Sequence, residues 1–147
     1  MNYQQVEILL VEDSKADADM TMRTLKKRGI ANNVEWVKNG VEAMEYLFRE
    51  GMFANRPIGT PKLVLLDLKM PLMDGLQVLE RMKADPRTQA IPVVMMTSSR
   101  EEGDVLASYR LGVNSYVVKP VSFDRFAESV RQVGAYWLTL NQPPLAP

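Results

Sequence analysis

Five short runs of aliphatic residues recur along the chain, separated by longer segments of mixed polarity. The runs lie at residues 7–11, 33–37, 63–66, 91–96 and 115–118. Nearly continuous apolar runs of this length are typical of strands that are buried on both faces, as in a parallel sheet covered by helices. We therefore predict a sheet of five parallel strands.

The segments between the runs carry apolar residues at the spacing of amphipathic helices. In the first segment, Ala18, Met22 and Leu25 share one face, and Ser14 and Gly29 are suited to cap and stop the helix. A second helix is marked by Val41, Met44, Leu47 and Phe48, and a third by Leu76, Leu79 and Met82. In a weaker fourth helix, Leu106 and Tyr109 are the expected inward residues. The last helix has apolar residues at helical spacing: Phe123, Phe126, Ala127, Val130, Val133 and Trp137.

This alternation of strand and helix predicts a doubly wound α/β domain with right-handed crossovers. A length of 147 residues favours a single domain, which we place at residues 1–140. The connection at residues 50–61 is rich in glycine and proline and is predicted to be a surface insertion. The proline-rich residues 141–147 are predicted to be a disordered tail.

Composition then limits the chemistry that the chain can perform. It has 18 basic and 18 acidic residues, no cysteine and no histidine. The balanced charge gives no support to binding DNA or a membrane surface. Thiolate catalysis, cysteine-based metal sites and phosphohistidine within the chain are excluded. The apolar runs are too short to span a membrane and no export signal is recognisable, so we expect a soluble, cytoplasmic protein.

Polar side chains follow four of the predicted strands, at the sheet edge where open α/β folds bind ligands. Glu12 and Asp13 follow the first strand and Asp67 the third, while Thr97 and Lys119 end the fourth and fifth. Each residue could be an ordinary turn former, cap or solvated charge. Five of them at one edge favour a common site.

The residue types at this edge suit phosphoryl transfer to a carboxylate. Carboxylates without histidine or cysteine are hard oxygen ligands for Mg²⁺, with Mn²⁺ as a possible substitute. Asp67 can act as a nucleophile and become an aspartyl phosphate. Lys119 can then pair with one phosphoryl oxygen as a compact cation, and Thr97 can donate its hydroxyl to another.

With these motifs the chain resembles the receiver domains of bacterial two-component response regulators. The resemblance rests on the pair Glu12-Asp13, on LLDLKMPLMDG at 65–75, on VVMMTSS at 93–99 and on YVVKP at 116–120. It implies a flavodoxin-like fold with strand order 2-1-3-4-5. It also implies a signalling protein and not an enzyme: a switch that accepts phosphate on Asp67 from a partner histidine kinase and assists its own Mg²⁺-dependent phosphorylation and dephosphorylation.

The resemblance assigns further roles around the phosphoacceptor. Asp13, Asp67 and the backbone carbonyl of Lys69 would bind Mg²⁺ directly, and Glu12 would act through water. Lys69 differs from the residues common at its position. Together with Ser99 it is expected to tune how readily water reaches the phosphoryl group, and hence the lifetime of the signal.

A switch pair and an unusual peptide bond are also implied by the resemblance. Thr97 would move toward the phosphoryl group, and Tyr116 would turn inward into the vacated space. This movement would change the surface made by the fourth helix, the fifth strand and the fifth helix. The bond between Lys119 and Pro120 is expected to be cis.

The insertion at 50–61, the opening LVEDSKAD at 10–17 and the ending RQVGAYWLTL at 131–140 resemble a narrower group. These are small stand-alone regulators associated with phytochrome-type histidine kinases, which act by docking and not by reading DNA. The last helix ends in residues that are apolar around more than one face. These residues favour association with a second copy, and the resemblance to this group implies a homodimer through the last helix and strand.

Two other functions share this architecture and stay open at this point. A small-molecule phosphatase could use Asp67 as its nucleophile, but it needs a second acid two residues later, where this chain has Lys69. A flavodoxin-like flavin carrier needs a phosphate-binding loop after the first strand, where Glu12 and Asp13 would repel a phosphate.

Overall fold

A computed structural model describes residues 5–144 as one parallel sheet flanked by helices. The strands are β1 (Ile8–Val11), β2 (Val34–Val37), β3 (Leu63–Leu66), β4 (Val93–Thr97) and β5 (Ser115–Val118). All neighbouring strands are parallel, in the order β2-β1-β3-β4-β5. The predicted doubly wound fold and its strand order are confirmed. Residues 145–147 of the predicted tail lie outside the described residues, and its disorder stays a prediction.

Five helices connect and follow the strands. They are α1 (Lys15–Lys27), α2 (Gly40–Phe48), α3 (Gly75–Ala84), α4 (Glu102–Arg110) and α5 (Phe123–Ala135), and a π-helical turn (Tyr136–Leu140) continues α5. The predicted cap is confirmed, because the hydroxyl of Ser14 accepts a hydrogen bond from the backbone N–H of Asp17. Gly29, the predicted stop, has φ +65°, a left-handed conformation that glycine adopts without strain.

The core has two layers, one on each face of the sheet, because successive side chains of a strand point to opposite faces. One layer joins Leu9, Val11, Val64 and Leu66 to α2 and α3. The other joins Ile8, Leu10, Leu63 and Leu65 to α1 and α5. The central strands β1 and β3 are buried throughout, which accounts for their unbroken apolar sequence.

The α4 helix departs from the prediction. Leu106 and Tyr109 were predicted to point inward, but each is 50% exposed. The buried residue of this helix is Ser108, whose hydroxyl donates to the carbonyl of Asp104 one turn earlier. The small side chain of Ser108, hydrogen-bonded within its own helix, faces the rest of the domain. Leu106 and Tyr109 lie on the other side of the helix and face outward.

The insertion at 50–61 lies at the surface, as predicted, and folds around one arginine. The guanidinium of Arg56 donates to the carbonyls of Tyr46 and Leu47 in α2 and to those of Pro57 and Gly59 in the insertion itself. Within residues 5–144, no helix combines the length and apolarity that crossing a membrane would require.

Candidate functional site

The parallel register brings the predicted residues to one edge of the sheet. β1 and β3 are paired up to their last residues, so Glu12 and Asp67 leave the sheet side by side. Thr97 ends β4, and its carbonyl accepts the backbone N–H of Lys119 at 2.7 Å. The convergence that was predicted from strand ends alone is therefore present in the fold.

A cleft of about 550 Å³ opens at this edge. Its walls include every residue for which the sequence predicted a direct role at the phosphoryl group or metal: Glu12, Asp13, Asp67, Lys69, Thr97, Ser99 and Lys119. Tyr116, the predicted switch residue, lies beside the cleft. Its hydroxyl donates to the backbone carbonyl of Ser99 at 3.0 Å, and its side chain packs against the core layer of α2 and α3.

Lys119 is the centre of a buried ion cluster. Its side chain is 7% exposed, and its Nζ lies 2.5 Å from Glu12 Oε1, 2.9 Å from Asp17 Oδ2 and 3.3 Å from Asp67 Oδ2. An ammonium group has three N–H donors, so these three carboxylates satisfy it fully. The cation predicted to bind a phosphoryl oxygen is therefore held within reach of the predicted acceptor.

Burial and crowding of like charges determine the electrostatics of the cleft. Burial, reinforced by the nearby charge of Asp67, raises the pKa of Glu12 to about 8, despite the opposing contact with Lys119. Burial alone would lower the pKa of Lys119, but the charges of Asp67 and Glu12 and the bond to Asp17 outweigh it and hold that pKa above its usual value. One ammonium therefore does not compensate all the carboxylates around it.

Three of the carboxylates form an arrangement suited to a divalent cation. One oxygen each from Glu12, Asp13 and Asp67 lie within 4.8 Å of one another. All three are hard oxygen donors, which Mg²⁺ and Mn²⁺ prefer, and the formal charge of three carboxylates exceeds the single positive charge of Lys119 beside them. These residues fit the metal that the sequence predicted.

A close backbone approach fixes the loop that follows Asp67. The N–H of Gly75, the first residue of α3, donates to the carbonyl of Leu68 at 2.8 Å. A Cβ atom at position 75 would lie 2.3 Å from the backbone oxygen of Asp67, so any larger residue would displace the acceptor. Asp74 caps the helix: its carboxylate accepts from the N–H of Gln77, whose side chain accepts from the N–H of Asp74.

The opposite wall of the cleft joins the β3–α3 loop to α4. Lys69 Nζ lies 3.5 Å from Asp104 Oδ2, and the hydroxyl of Ser99 donates to the same carboxylate oxygen at 2.5 Å. The hydroxyl of Thr97 accepts the backbone N–H of Ser99. The two residues predicted to tune signal lifetime thus share one partner, Asp104.

One prediction is wrong and two residues of the site were missed. The bond between Lys119 and Pro120 is trans, as is every peptide bond of the described chain. Trans is the default for a bond before proline, and the packing around Lys119 is reached without the cis form. Asp17 and Asp104 were not predicted. Both are the third residue of a helix that begins at the cleft, and this shared position is the signal that could have found them.

The family model of the response regulator receiver domain matches residues 8–131, so the chain belongs to this family. A receiver domain is a phosphorylation-activated signalling switch that partners with histidine kinases, and this is the function of the chain. Membership gives no support to the phosphatase alternative or to the flavin carrier.

Among its relatives, the chain is similar to the probable methanogenesis regulatory protein FilR2 of Methanothrix harundinacea, with 41% identity over 93% of this chain and 86% of that protein. It is also similar to the response regulator Rcp1 of Synechocystis sp., with 40% identity over 95% of this chain and 93% of Rcp1.

Two solved structures extend the likeness to the fold. The phosphorylated cyanobacterial phytochrome response regulator RcpA superposes with a TM-score of 0.90 at 37% identity, covering 97% of this chain and all of that one. The Mn²⁺-bound form of Rcp1 superposes with a TM-score of 0.89 at 38% identity, covering 96% of this chain and all of that one. The narrower resemblance to phytochrome-associated regulators is confirmed.

Proposed function

We propose that Asp67 is the phosphoacceptor of this switch and that a histidine kinase is the donor. A carboxylate oxygen of Asp67 attacks phosphorus, the bond from phosphorus to the kinase imidazole breaks, and its electron pair leaves with the imidazole. The observation that carries the proposal is the position of Asp67: it is 8% exposed, and its Oδ2 lies 3.3 Å from Lys119 Nζ. The acceptor and the cation that can hold the transferred group are already neighbours.

Mg²⁺ is the metal that we propose for the three-carboxylate cluster, with Mn²⁺ as a substitute. Asp13, Asp67 and the backbone carbonyl of Lys69, a residue that lines the same cleft, would hold it directly, and Glu12 would act through water. When bound, the ion supplies positive charge that offsets the repulsion between these carboxylates and an incoming phosphoryl group. The side chains of Lys119 and Thr97 would bind phosphoryl oxygens directly, in addition to the metal ion.

The direct test is phosphorylation by a small donor. The chain is incubated with acetyl phosphate and MgCl₂, and its intact mass is measured before and after hydroxylamine, which cleaves acyl phosphates. We expect a gain of one phosphoryl group that hydroxylamine removes and that Asp67→Asn abolishes. Asp19→Asn makes the same charge change on the exposed surface of α1 and should react like the wild type. A wild-type chain that gains no mass would overturn the proposal.

The fluorescence of Trp36 offers a separate measurement of metal binding. Its indole N–H donates to the backbone carbonyl of Glu12 at 2.7 Å, so it lies directly behind the acidic cluster. In a Trp137→Phe background, we expect MgCl₂ or MnCl₂ to change the fluorescence of Trp36 in a saturable manner. Asp13→Asn should weaken this response, because Asp13 contributes one of the clustered carboxylates.

We propose that a phytochrome-type kinase is the partner and that the exchange takes place in the cytoplasm. The support is the similarity to a protein described as a phytochrome response regulator, along essentially the whole length of both chains. The test is a phosphotransfer screen against the histidine kinases of the source organism, ranked by initial rate. A faster rate with a kinase that has no phytochrome sensor would refute this choice of partner.

We also propose a homodimer formed through the last helix and strand. The π-helical turn that ends α5 presents Tyr136 at 49% and Leu140 at 76% exposure. Burying these side chains against a second copy would be favourable, because apolar surface leaves water. Light scattering at micromolar concentration should give the dimer mass, and Leu140→Glu should return the monomer. A monomer in every phosphorylation state would overturn this proposal.

The predicted lifetime residues and switch pair complete the proposal. Lys69 and Ser99 meet at Asp104 beside the acceptor, and Thr97 and Tyr116 are linked through Ser99. We expect Lys69→Asn to alter the half-life of the phosphorylated chain. Lys62→Asn, at the opposite end of β3, should leave the half-life unchanged, and equal half-lives for both variants and the wild type would remove the role of Lys69.

We propose that the chain signals and does not turn over small phosphate esters. The residue two positions after Asp67 is Lys69, whose side chain is 65% exposed and paired with Asp104. The phosphatase alternative needs a second acid at this position, and the chain instead has a lysine whose ammonium faces the carboxylate of Asp104. Steady release of phenol from an aryl phosphate, lost in Asp67→Asn, would instead establish the phosphatase.

A further inference from the structure

The ammonium of Lys119 has a partner that the function described so far does not use. Its contact with Asp17 Oδ2, at 2.9 Å, is shorter than its contact with Asp67 Oδ2, at 3.3 Å. Asp17 lines the cleft, but its carboxylate is not one of the three that cluster at the metal position. It is a charge at the site without an assigned task.

The first turn of α1 holds Asp17 firmly. Its backbone N–H donates to the hydroxyl of Ser14, and its carbonyl accepts the hydroxyl of Thr21 at 2.7 Å. Thr21 is 2% exposed, so this turn of α1 packs against the interior of the domain. The side chain of Asp17, 34% exposed, then reaches Lys119 from the helix side. The contact joins residues 102 positions apart in the chain.

The three carboxylates around Lys119 differ in what else they serve. Glu12 and Asp67 belong both to Lys119 and to the acidic cluster that suits a divalent cation, whereas Asp17 belongs to Lys119 alone. A divalent cation and an ammonium in one small cleft repel each other, and carboxylates that they share cannot fully compensate both. Asp17 is the one counter-charge that Lys119 does not share.

We propose that Asp17 is a positioning residue that keeps the Lys119 ammonium inside the cleft, where it can bind a phosphoryl oxygen on Asp67. The proposal rests on the proposed function of Asp67. Without the carboxylate of Asp17, the ammonium turns toward solvent, because its remaining partners also serve the metal. Phosphoryl transfer then slows although every group that touches phosphorus or metal is still present.

The first test uses the chain at saturating MgCl₂, where Glu12 and Asp67 also serve the metal, and requires no phosphorylation. The protein is treated briefly with an amine-acetylating reagent, and modification of Lys119 is measured in its peptide by mass spectrometry. We expect labelling of Lys119 to rise about tenfold in Asp17→Asn, as loss of one charge-assisted hydrogen bond allows. Asp19→Asn removes the same charge two residues along α1, from a carboxylate that pairs with Lys15, and should leave the labelling unchanged.

The second test measures the rate of phosphorylation by acetyl phosphate at saturating MgCl₂, which removes any change in metal affinity from the comparison. Asp17→Asn should slow the reaction about tenfold, by the same lost bond. Asp17→Glu restores the charge at a partly exposed position and should recover most of the rate, and Asp19→Asn should match the wild type. Far-UV circular dichroism of each variant verifies that α1 is intact.

A double substitution separates positioning from a purely structural effect. If Asp17 acts through the ammonium, Asp17→Asn should slow a Lys119→Gln chain no further, whereas a structural defect would add to the loss. The proposal is overturned if Asp17→Asn equals Asp19→Asn in labelling and rate, or if it reacts faster than the wild type. A wild-type chain that takes up no phosphoryl group would remove the function of Asp67 first, and this proposal with it.

Discussion

The helices α3 and α4 follow neighbouring strands and begin at the same cleft, yet the domain holds them very differently. A capping box formed by Asp74 and Gln77 begins α3, which buries four of its residues, among them Leu79 and Met82. In contrast, α4 begins without a side-chain cap and buries only Ser108 among its residues. A helix with so little buried surface can shift at small cost, whereas α3 cannot.

This difference separates the two tasks of a phosphorylation switch. The side of the cleft formed by β1, β3 and α3 holds the acceptor and the acidic cluster in fixed positions. The side formed by α4 is connected to the cleft by a few polar contacts, through Lys69, Ser99 and Tyr116. A phosphoryl group that changes these contacts can shift the population of α4 positions without disturbing the site. Leu106 and Tyr109 are exposed on α4, so the surface that they form would move with that shift.

The largest difference between α3 and α4 should be in the free energy of unfolding that is lost when a side chain is truncated to alanine. Met82→Ala, at a fully buried position of α3, should lower the free energy of unfolding by about 2–5 kcal/mol. Leu106→Ala, at a half-exposed position of α4, should change it by no more than about 0.5 kcal/mol. Urea denaturation followed by circular dichroism measures both, and similar losses would show that α4 is as firmly packed as α3.

The pH dependence of stability should come from the fixed side of the cleft. Because the folded state raises the pKa of Glu12 from 4.5 to about 8, the folded chain binds more protons than the unfolded chain between these values. Stability should therefore fall as pH rises from about 4.5 to 8, by at least about 1.4 kcal/mol, the equivalent of one pKa unit. Thermal melts in EDTA measure this fall.

Two variants locate the origin of that pH dependence. Glu12→Gln cannot titrate and should flatten the fall relative to the wild type. Asp104→Asn changes a carboxylate of α4 and should retain the fall. MgCl₂ should oppose it, because the metal stabilises the charged form of the acidic cluster. An unchanged slope in Glu12→Gln would contradict the assignment to this residue.

Substitutions at the N-termini of α3 and α4 should differ by a smaller amount in the free energy of unfolding that they cost. Asp74→Ala removes the bond that its carboxylate accepts from the N–H of Gln77 and should cost about 1 kcal/mol. Glu101→Ala, at the residue that precedes α4, removes no capping bond and should cost less than about 0.5 kcal/mol. Because each variant loses one carboxylate, the difference between their free energies of unfolding measures the contribution of the capping bond. Equal losses in urea denaturation would place the cost in charge and not in the cap.

The smallest effect on global stability should come from Lys69. Its side chain is 65% exposed, so Lys69→Ala should cost less than about 0.5 kcal/mol, as for other exposed ion pairs. Local opening should be more sensitive. Hydrogen exchange should become faster in the amides of α4 and stay unchanged in α3. Unaltered exchange in α4 would mean that the pair with Asp104 does not restrain this helix.

Much of this molecule could be predicted from local sequence. The central strands are apolar because both of their faces are buried, and their ends are marked by a change to polar residues. Since parallel strands end at one edge, Glu12, Asp67 and Lys119 could be assigned to a single site without any knowledge of contacts. The stretch from Pro71 to Gly75 has the proline, aspartate and glycine that are typical of turns, and the structure adds the close backbone approach that makes Gly75 necessary.

Other features depend on which surfaces the fold brings together. Leu106 and Tyr109 have a helical spacing that could equally mark an inner or an outer face, and only packing decides between them. Asp17 and Asp104 look like ordinary acidic residues in the first turns of helices, which favour negative charge at that position anyway. The conformation of the bond between Lys119 and Pro120 depends on the surrounding packing and not on the dipeptide.

The amino-acid sequence by itself determined how strands and helices alternate along the chain, because this follows from periodicity. It also determined the sheet edge at which the polar residues lie and their types, because these follow from the ends of the strands. Only the tertiary structure decided how the charges are shared. Lys119 meets Glu12 and Asp17 across separations of 107 and 102 residues. No local pattern encodes the distances across such a separation, because they result from the placement of β1 and β5 in one sheet and from the packing of α1 on that sheet.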